Sequence, residues 1–589
     1  MLDTIHRGPD GRLRLYFEST AGFPALHMAR EKWGAENLNH AAAEALAPDL
    51  PGGDAVAAFV QNSPVGRQVV RTLGLRLPKL PPSGYRIEAI NRQATTLIVV
   101  GGDLFGMLAG LADLALHSDL TARALLYRGG AKTEKPAFPL RYYWTWDHST
   151  NWVLDDPGNQ MSGAKNHYLK RPGTFVEDYR RLVDHCVEMR FNGIVIWGFL
   201  RAAHGGEASA YEVARYAADR GVAILPGLGT TGYGGVFYEG RHPYNLETFL
   251  LSHPRLGNRA RDGQISRREI SPHHPQTQDW IRRSVEWLYR SFPIGGANME
   301  NNDFMVDYSL AGKRGRAKIR SGESDPFKDQ YFAYKTALDA AHRLSPSSWN
   351  LYATYSGFGR GRAVTQGGAD MGVEPYFAKH MPPSAVAQWT LSDMICGTIP
   401  LRAWMEHPRP AAAYENPKWP KGLRPPTPRS AGFVHQASVW SSVRRTDLAL
   451  SAFAEACLRG HEAGLEGISV HGEVASRPLA WKLNYLAMRH WTYHPVSSLA
   501  EFAAAELAPR LGGEKEARLF VEVMADMEEG KLDPAREQKA LEFARSCYPG
   551  NARPDYGNLS ASRMWEELLE WDYFRKNRRS IAQGVTHLA

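Results

Sequence analysis

The period of the hydrophobic pattern changes along the chain, and each change marks an element. Over 85–90 apolar and polar residues alternate, which predicts a strand with one buried face. Residues 96–100 (Thr-Leu-Ile-Val-Val) form a continuous apolar run, as in a strand covered on both sides. Gly101, Gly102 and Asp103 read as a plain turn, with neither a dinucleotide fingerprint nor a Walker lysine. Leu104, Leu108, Leu111 and Ala115 then recur at helical spacing and predict a helix over 104–116 with one apolar stripe.

From Leu140 the pattern alternates between strands and helices. Residues 141–147 (Arg-Tyr-Tyr-Trp-Thr-Trp-Asp) are strand-like and end polar. Thr174 and Glu177 have capping-box spacing and open a helix whose apolar face is Phe175, Tyr179, Leu182, Val183, Cys186 and Met189. Strands are expected over 191–197 and 221–228, separated by a helix at 209–220. A long polar insertion, 229–275, precedes a helix from Thr277 with Trp280, Ile281, Val285, Leu288 and Phe292 on one face. That helix leads into 292–303, where small residues run into Asn298, Glu300 and Asp303. Side chains alternate along a strand, so Asn298 and Glu300 share a face that Met299 does not. Further strands are expected at 349–354, around Trp389, at 431–434 and at 467–470. Residues 405–430 are proline-rich and read as a loop, and the pattern from about 480 onward is helical.

Eight apolar strands alternating with helices predict an α/β fold, a (β/α)8 barrel. The expected parts are an α+β accessory unit (1–135), the barrel (136–480) and a helical C-terminal region (481–589). Active sites of such barrels lie at the C-terminal ends of the strands. Those ends supply Trp146, Asp147, His148, Trp197, Arg201, Asn298, Glu300, Asp303, Tyr355, Trp404, Glu406, His435, Gln436, His471 and Glu473. Aromatic faces stack on sugar rings, and carboxyl pairs cleave glycosidic bonds. Glu300 is the expected general acid, since a carboxyl partly desolvated at a barrel mouth can keep its proton near neutral pH.

Composition narrows the partners. The chain has 589 residues, 43% hydrophobic and 22% charged, so material for large cores is ample. The formal net charge of +8 is dispersed, without the basic stripe of a nucleic-acid binder, although it would suit an anionic sugar. Four scattered cysteines make neither a disulfide framework nor a metal site, and neither a metal nor a cofactor is expected. No apolar run is long enough for a membrane helix. The N-terminus does not read as a secretory signal, which leaves a cytoplasmic protein or one lacking its secretion signal. A homodimer is one open option.

The strand, Gly-Gly-Asp turn and helix of 96–116 resemble the accessory domain that precedes the barrel in β-hexosaminidases and α-glucuronidases. Ile294-Gly-Gly-Ala-Asn-Met-Glu300 is similar to the fourth barrel strand of β-hexosaminidases (glycoside hydrolase family 20), though their adjacent Asp-Glu is missing. It also looks like the Asn-x-Glu of family 85 endo-β-N-acetylglucosaminidases. The resemblance implies hydrolysis of an N-acetylhexosaminide from the chain end of an oligosaccharide or polysaccharide. Glu300 would be the acid, Asn298 would orient the N-acetyl group, and Arg141 would hold sugar hydroxyls. Residues 191–196 (Phe-Asn-Gly-Ile-Val-Ile) look equally like the second strand of α-glucuronidases, which invert. On that alternative Glu406 or Glu473 is the base and the substrate is an acidic sugar. A barrel that binds carbohydrate without catalysis is the third reading.

Overall fold

A computed structural model describes residues 2–18, 41–45, 53–147, 172–300, 306–318, 326–354, 357–358, 380–407, 416–434, 448–471, 479–547, 561, 564–568 and 571. Eight parallel strands close into a barrel: β1 (Leu140–Trp146), β2 (Gly193–Trp197), β3 (Ala223–Gly229), β4 (Gly296–Glu300), β5 (Trp349–Ala353), β6 (Ala385–Thr390), β7 (Ser430–Val434) and β8 (Gly467–His471). They are the eight strands expected from the apolar runs. Each neighbour in the ring follows its predecessor in the chain, and β8 pairs with β1 through Trp144 and His471.

Alternation sorts every strand into two faces. Leu140, Tyr142, Trp144, Trp146, Val195, Trp197, Leu225, Leu351, Val386 and Phe433 fill the barrel interior. Tyr143, Ile194, Ile196 and Met299 point outward and join the core shared with the surrounding helices. Burial on both faces is why these strands read as unbroken apolar runs.

Ahead of the barrel, a six-stranded sheet includes Tyr85–Asn91 paired antiparallel with Thr95–Gly101. The helix Leu104–Leu116 lies on this sheet, and Asp103 caps it by accepting from the Gly106 N–H at 2.7 Å. Asp103 is therefore a cap rather than part of a plain turn. Residues 105–115 of that helix are buried all round, not along one stripe, because the barrel helix Phe175–Met189 covers the side away from the sheet. The capping box at Thr174 does not form. A 3-10 turn, Pro172–Thr174, gives Thr174 helical backbone angles, and its hydroxyl donates to Asp178 instead.

A buried charged network ties the base of the barrel to what flanks it. Asp113, inside the apolar helix, accepts from the Tyr85 hydroxyl at 2.8 Å and pairs with Lys132 and with Arg190 at 3.2 Å. Arg489, on the C-terminal helix Leu479–Trp491, reaches both Asp113 and Glu506, and Arg510 pairs with Glu506 at 3.1 Å. Glu134 is held between Arg190 and His494. Burial alone would raise the Asp113 carboxyl, but Lys132, Arg190 and His117 outweigh it and hold it well below the usual range.

Candidate active site

The strand ends place Trp146, Trp197, Gly229, Glu300, Ala353, Thr390, Val434 and His471 around one rim. Aromatic rings form a collar there. Trp144 stacks on Phe433 at 5.6 Å and meets Trp146 and His471 edge-on at 5.6 and 5.3 Å. Trp146 lies 5.4 Å from Trp197 and 5.8 Å from Tyr238, and Trp197 lies 5.7 Å from Tyr233.

Beneath the collar runs a chain of buried hydrogen bonds. The Trp197 Nε1–H donates to Asn298 Oδ1 at 3.2 Å, and Asn298 Nδ2 donates to Gln388 Oε1 at 3.0 Å. Gln388 Oε1 also accepts from the Tyr142 hydroxyl at 2.9 Å. The indole reaches Asn298 across Gly227, where a Cβ would stand 2.4 Å from the Trp197 ring. Asn298 is 0% exposed and has partners at both ends of its amide, so it braces the collar. Gln388 and Tyr142 were not singled out from sequence. The signal available was that each is a polar side chain on the inward phase of its own strand.

Glu300 closes β4 on the same inward face as Asn298 and is 8% exposed. Its carbonyl accepts from the Thr230 N–H at 2.9 Å and the Thr230 hydroxyl at 3.3 Å, pinning the strand end to the turn after β3. Burial pushes the phenol of Tyr142, on the same inward face of the barrel, above its ordinary value.

Asp147 was expected at the substrate. It is 0% exposed and both its oxygens accept from Arg201, at 2.7 and 3.1 Å. Gly198, at φ +81°, makes room for it, because a Cβ there would lie 2.1 Å from Asp147 Oδ1. Arg201 also pairs with Glu239 and stacks over Tyr238 at 4.7 Å. Asp147 is thus the anchor of a buried bidentate pair that sets the rim's tyrosine.

Three other expectations are corrected by position. Arg141 lies at the opposite end of the barrel, fully buried, donating to the carbonyls of Arg190, Phe138 and Pro139 and facing the rings of Phe105 and Tyr493. It links the helix Leu104–Leu116, through Phe105, to Tyr493 just past the helix Leu479–Trp491. Trp404 and Glu406 belong to the helix Leu401–Glu406, not to a strand end. Trp404 packs against Trp491 in the outer core, and Glu406 is exposed. His471 does close β8, where its ring meets Trp144 and Phe433 and its carbonyl accepts from the Tyr485 hydroxyl at 2.7 Å. Asp303, Tyr355, Glu473, His148, His435 and Gln436 lie outside the described residues. Among the described residues no three His, Cys, Asp or Glu side chains are grouped to hold a metal ion, and no helix is long and apolar enough to cross a membrane.

No family model matches the chain. No curated protein matches it. Among solved structures it is similar to a β-N-acetylhexosaminidase from Bacteroides fragilis, at 14% identity over 69% of each chain with a TM-score of 0.39. It is also similar to a family 20 exo-β-N-acetylglucosaminidase from Vibrio harveyi in complex with N-acetylglucosamine, at 12% identity over 88% of this chain and 76% of that one, with a TM-score of 0.48. A family 138 glycoside hydrolase targeting pectin rhamnogalacturonan II is similar at 13% identity over 88% of this chain and 56% of that one, again with a TM-score of 0.48. No residue role follows from these likenesses.

Proposed function

We propose that the chain is a glycoside hydrolase that removes an N-acetylhexosamine unit from the end of an oligosaccharide or polysaccharide, with Glu300 as general acid. The observation that carries the reading is the placement of Glu300. Among the described strand ends it is the one carboxylate on the inward face, at the rim of a closed parallel barrel. A carboxyl at the C-terminal mouth of such a barrel stands where a glycosidic oxygen can be brought to it.

In the proposed reaction Glu300 delivers its proton to the glycosidic oxygen as the C1–O bond breaks. The substrate's own N-acetyl oxygen bonds to C1 and forms a cyclic intermediate. Water then attacks C1, returns its proton to the Glu300 carboxylate and reopens the ring. Asn298 is assigned to positioning, because its amide is committed to Trp197 and Gln388. Such acid catalysis contributes about 10²–10⁴-fold in rate.

A panel of aryl glycosides tests the proposal. Chromophore release from the β-N-acetylhexosaminide, with little from the glucoside lacking the N-acetyl group, is the expected result. Release from the glucuronide alone would transfer the assignment to an acidic-sugar hydrolase. Stabilisation by sugar without release from any member would make the barrel a carbohydrate-binding module.

A further inference from the structure

Resting on the reading above, we propose that the insertion between β3 and β4 carries a second sugar-binding site, a groove for the units of a neutral oligosaccharide beyond the one held at Glu300. The insertion folds as the helix Leu246–Ser252 and an antiparallel pair of strands, Gly257–Arg259 and Ile265–Ile270. Helix, second strand and the 233–241 turn enclose a cavity of about 860 Å³. That volume falls within the roughly 300–1,000 Å³ of small-molecule sites and exceeds the need of a single pyranose ring.

The groove and the barrel rim share a wall. Tyr233 lines the cavity and stands edge-on to Trp197, and Tyr238 lines it and stands edge-on to Trp146. A saccharide held at Glu300 would reach the groove across these two half-buried tyrosines. Arg201, through its ion pairs with Asp147 and Glu239 and its stacking on Tyr238, holds that wall rigid.

The far wall has the chemistry of sugar recognition. Leu251 is 82% exposed, an apolar face set among charged neighbours where a pyranose C–H face can pack. Glu247 and Arg268 stand 3.5 Å apart with side chains 60% and 85% exposed. Such an exposed pair contributes little to stability. Its carboxylate accepts from one hydroxyl of a vicinal diol while its guanidinium donates to the other. The lining carries three carboxylates, Glu239, Glu247 and Glu269, against the two guanidinium groups of Arg241 and Arg268. Despite the chain's overall positive charge, a polyanion gains nothing here, which selects a neutral saccharide.

The test measures binding to full-length protein carrying Glu300→Gln, so that ligand is not consumed. The ligands are N-acetylglucosamine, its β-1,4-linked trisaccharide and a uronate trisaccharide. Isothermal titration is repeated with Glu247→Ala, Leu251→Ala and Arg268→Ala added together; all three side chains are exposed, so the fold has little to lose. The inference expects the neutral trisaccharide to bind at least about tenfold more tightly than the monosaccharide, and that ratio to fall to about one in the added variant. A ratio near one in the parent, a ratio that survives the substitutions, or tighter binding of the uronate would overturn the groove while leaving the mouth assignment standing. If neither neutral sugar binds and the unsubstituted enzyme turns over no aryl glycoside, the assignment of the mouth fails and the groove falls with it.

Discussion

Replacing Asn298 probes the hydrogen-bond chain under the collar. In Asn298→Leu the shape is nearly kept, so the cavity contribution is small. The Trp197 Nε1–H loses its acceptor, whereas Gln388 Oε1 keeps the Tyr142 hydroxyl. One orphaned buried donor is the net change, and the expected loss is about 1–3 kcal/mol. Asn298→Asp retains an acceptor for Trp197 yet presents an oxygen to Gln388 Oε1 at a site that is 0% exposed. Either two oxygens face each other, or Gln388 turns its amide and no longer offers Oε1 to the Tyr142 hydroxyl. An unpaired buried charge is added two residues from Glu300, at several kcal/mol. Asp is therefore expected to be worse than Leu, although it is the closer mimic. Urea unfolding followed by tryptophan fluorescence gives both values. A smaller loss for Asp than for Leu would refute the argument, because it would mean that the amide is not the donor to Gln388.

Two further expectations concern the charged pairs. Arg201→Ala strands the fully buried Asp147 and should cost about 3–5 kcal/mol in urea unfolding, whereas Arg201→Lys restores only part of it because an ammonium cannot form the two parallel bonds; equal recovery by Lys would show that charge alone matters. Asp113, Glu134 and Glu506 are all held below their ordinary values despite burial, by Lys132 and Arg190, by His494 and Arg190, and by Arg489 and its neighbours respectively. Their contribution is present above the unfolded carboxylate range of about 4 and is lost as pH falls below it, so the midpoint of thermal unfolding should drop steeply toward acid. Asp113→Asn should lower the midpoint at pH 7 and flatten that acid slope; an unchanged slope would contradict it.

The barrel was legible because strands buried on both faces read as apolar runs, and because Asn298 and Glu300 fall on one phase of the strand. Asp147 and Arg201 misled for a physical reason: a buried bidentate pair and a solvent-facing site use the same residue types. Arg141 misled because the strand's first residues lie at the end of the barrel away from the rim, where its guanidinium meets carbonyls. Trp404 was read as a strand end because its segment follows β6, but a tryptophan on a short helix packs as well against Trp491 as against a sugar. The groove of the insertion was illegible, since its walls come from separate turns of a polar segment whose spacing carries no periodic signal.

The account stands or falls on proton donation by Glu300. The decisive measurement compares parent and Glu300→Gln on two N-acetyl-β-hexosaminides, one with an alkyl leaving group and one with a strongly acidic phenol. An acid matters most when the departing oxygen is basic, so kcat should fall about 10²–10⁴-fold for the alkyl glycoside and far less for the phenol. Equal losses on both substrates, or turnover of the alkyl glycoside close to that of the parent, would contradict the assignment.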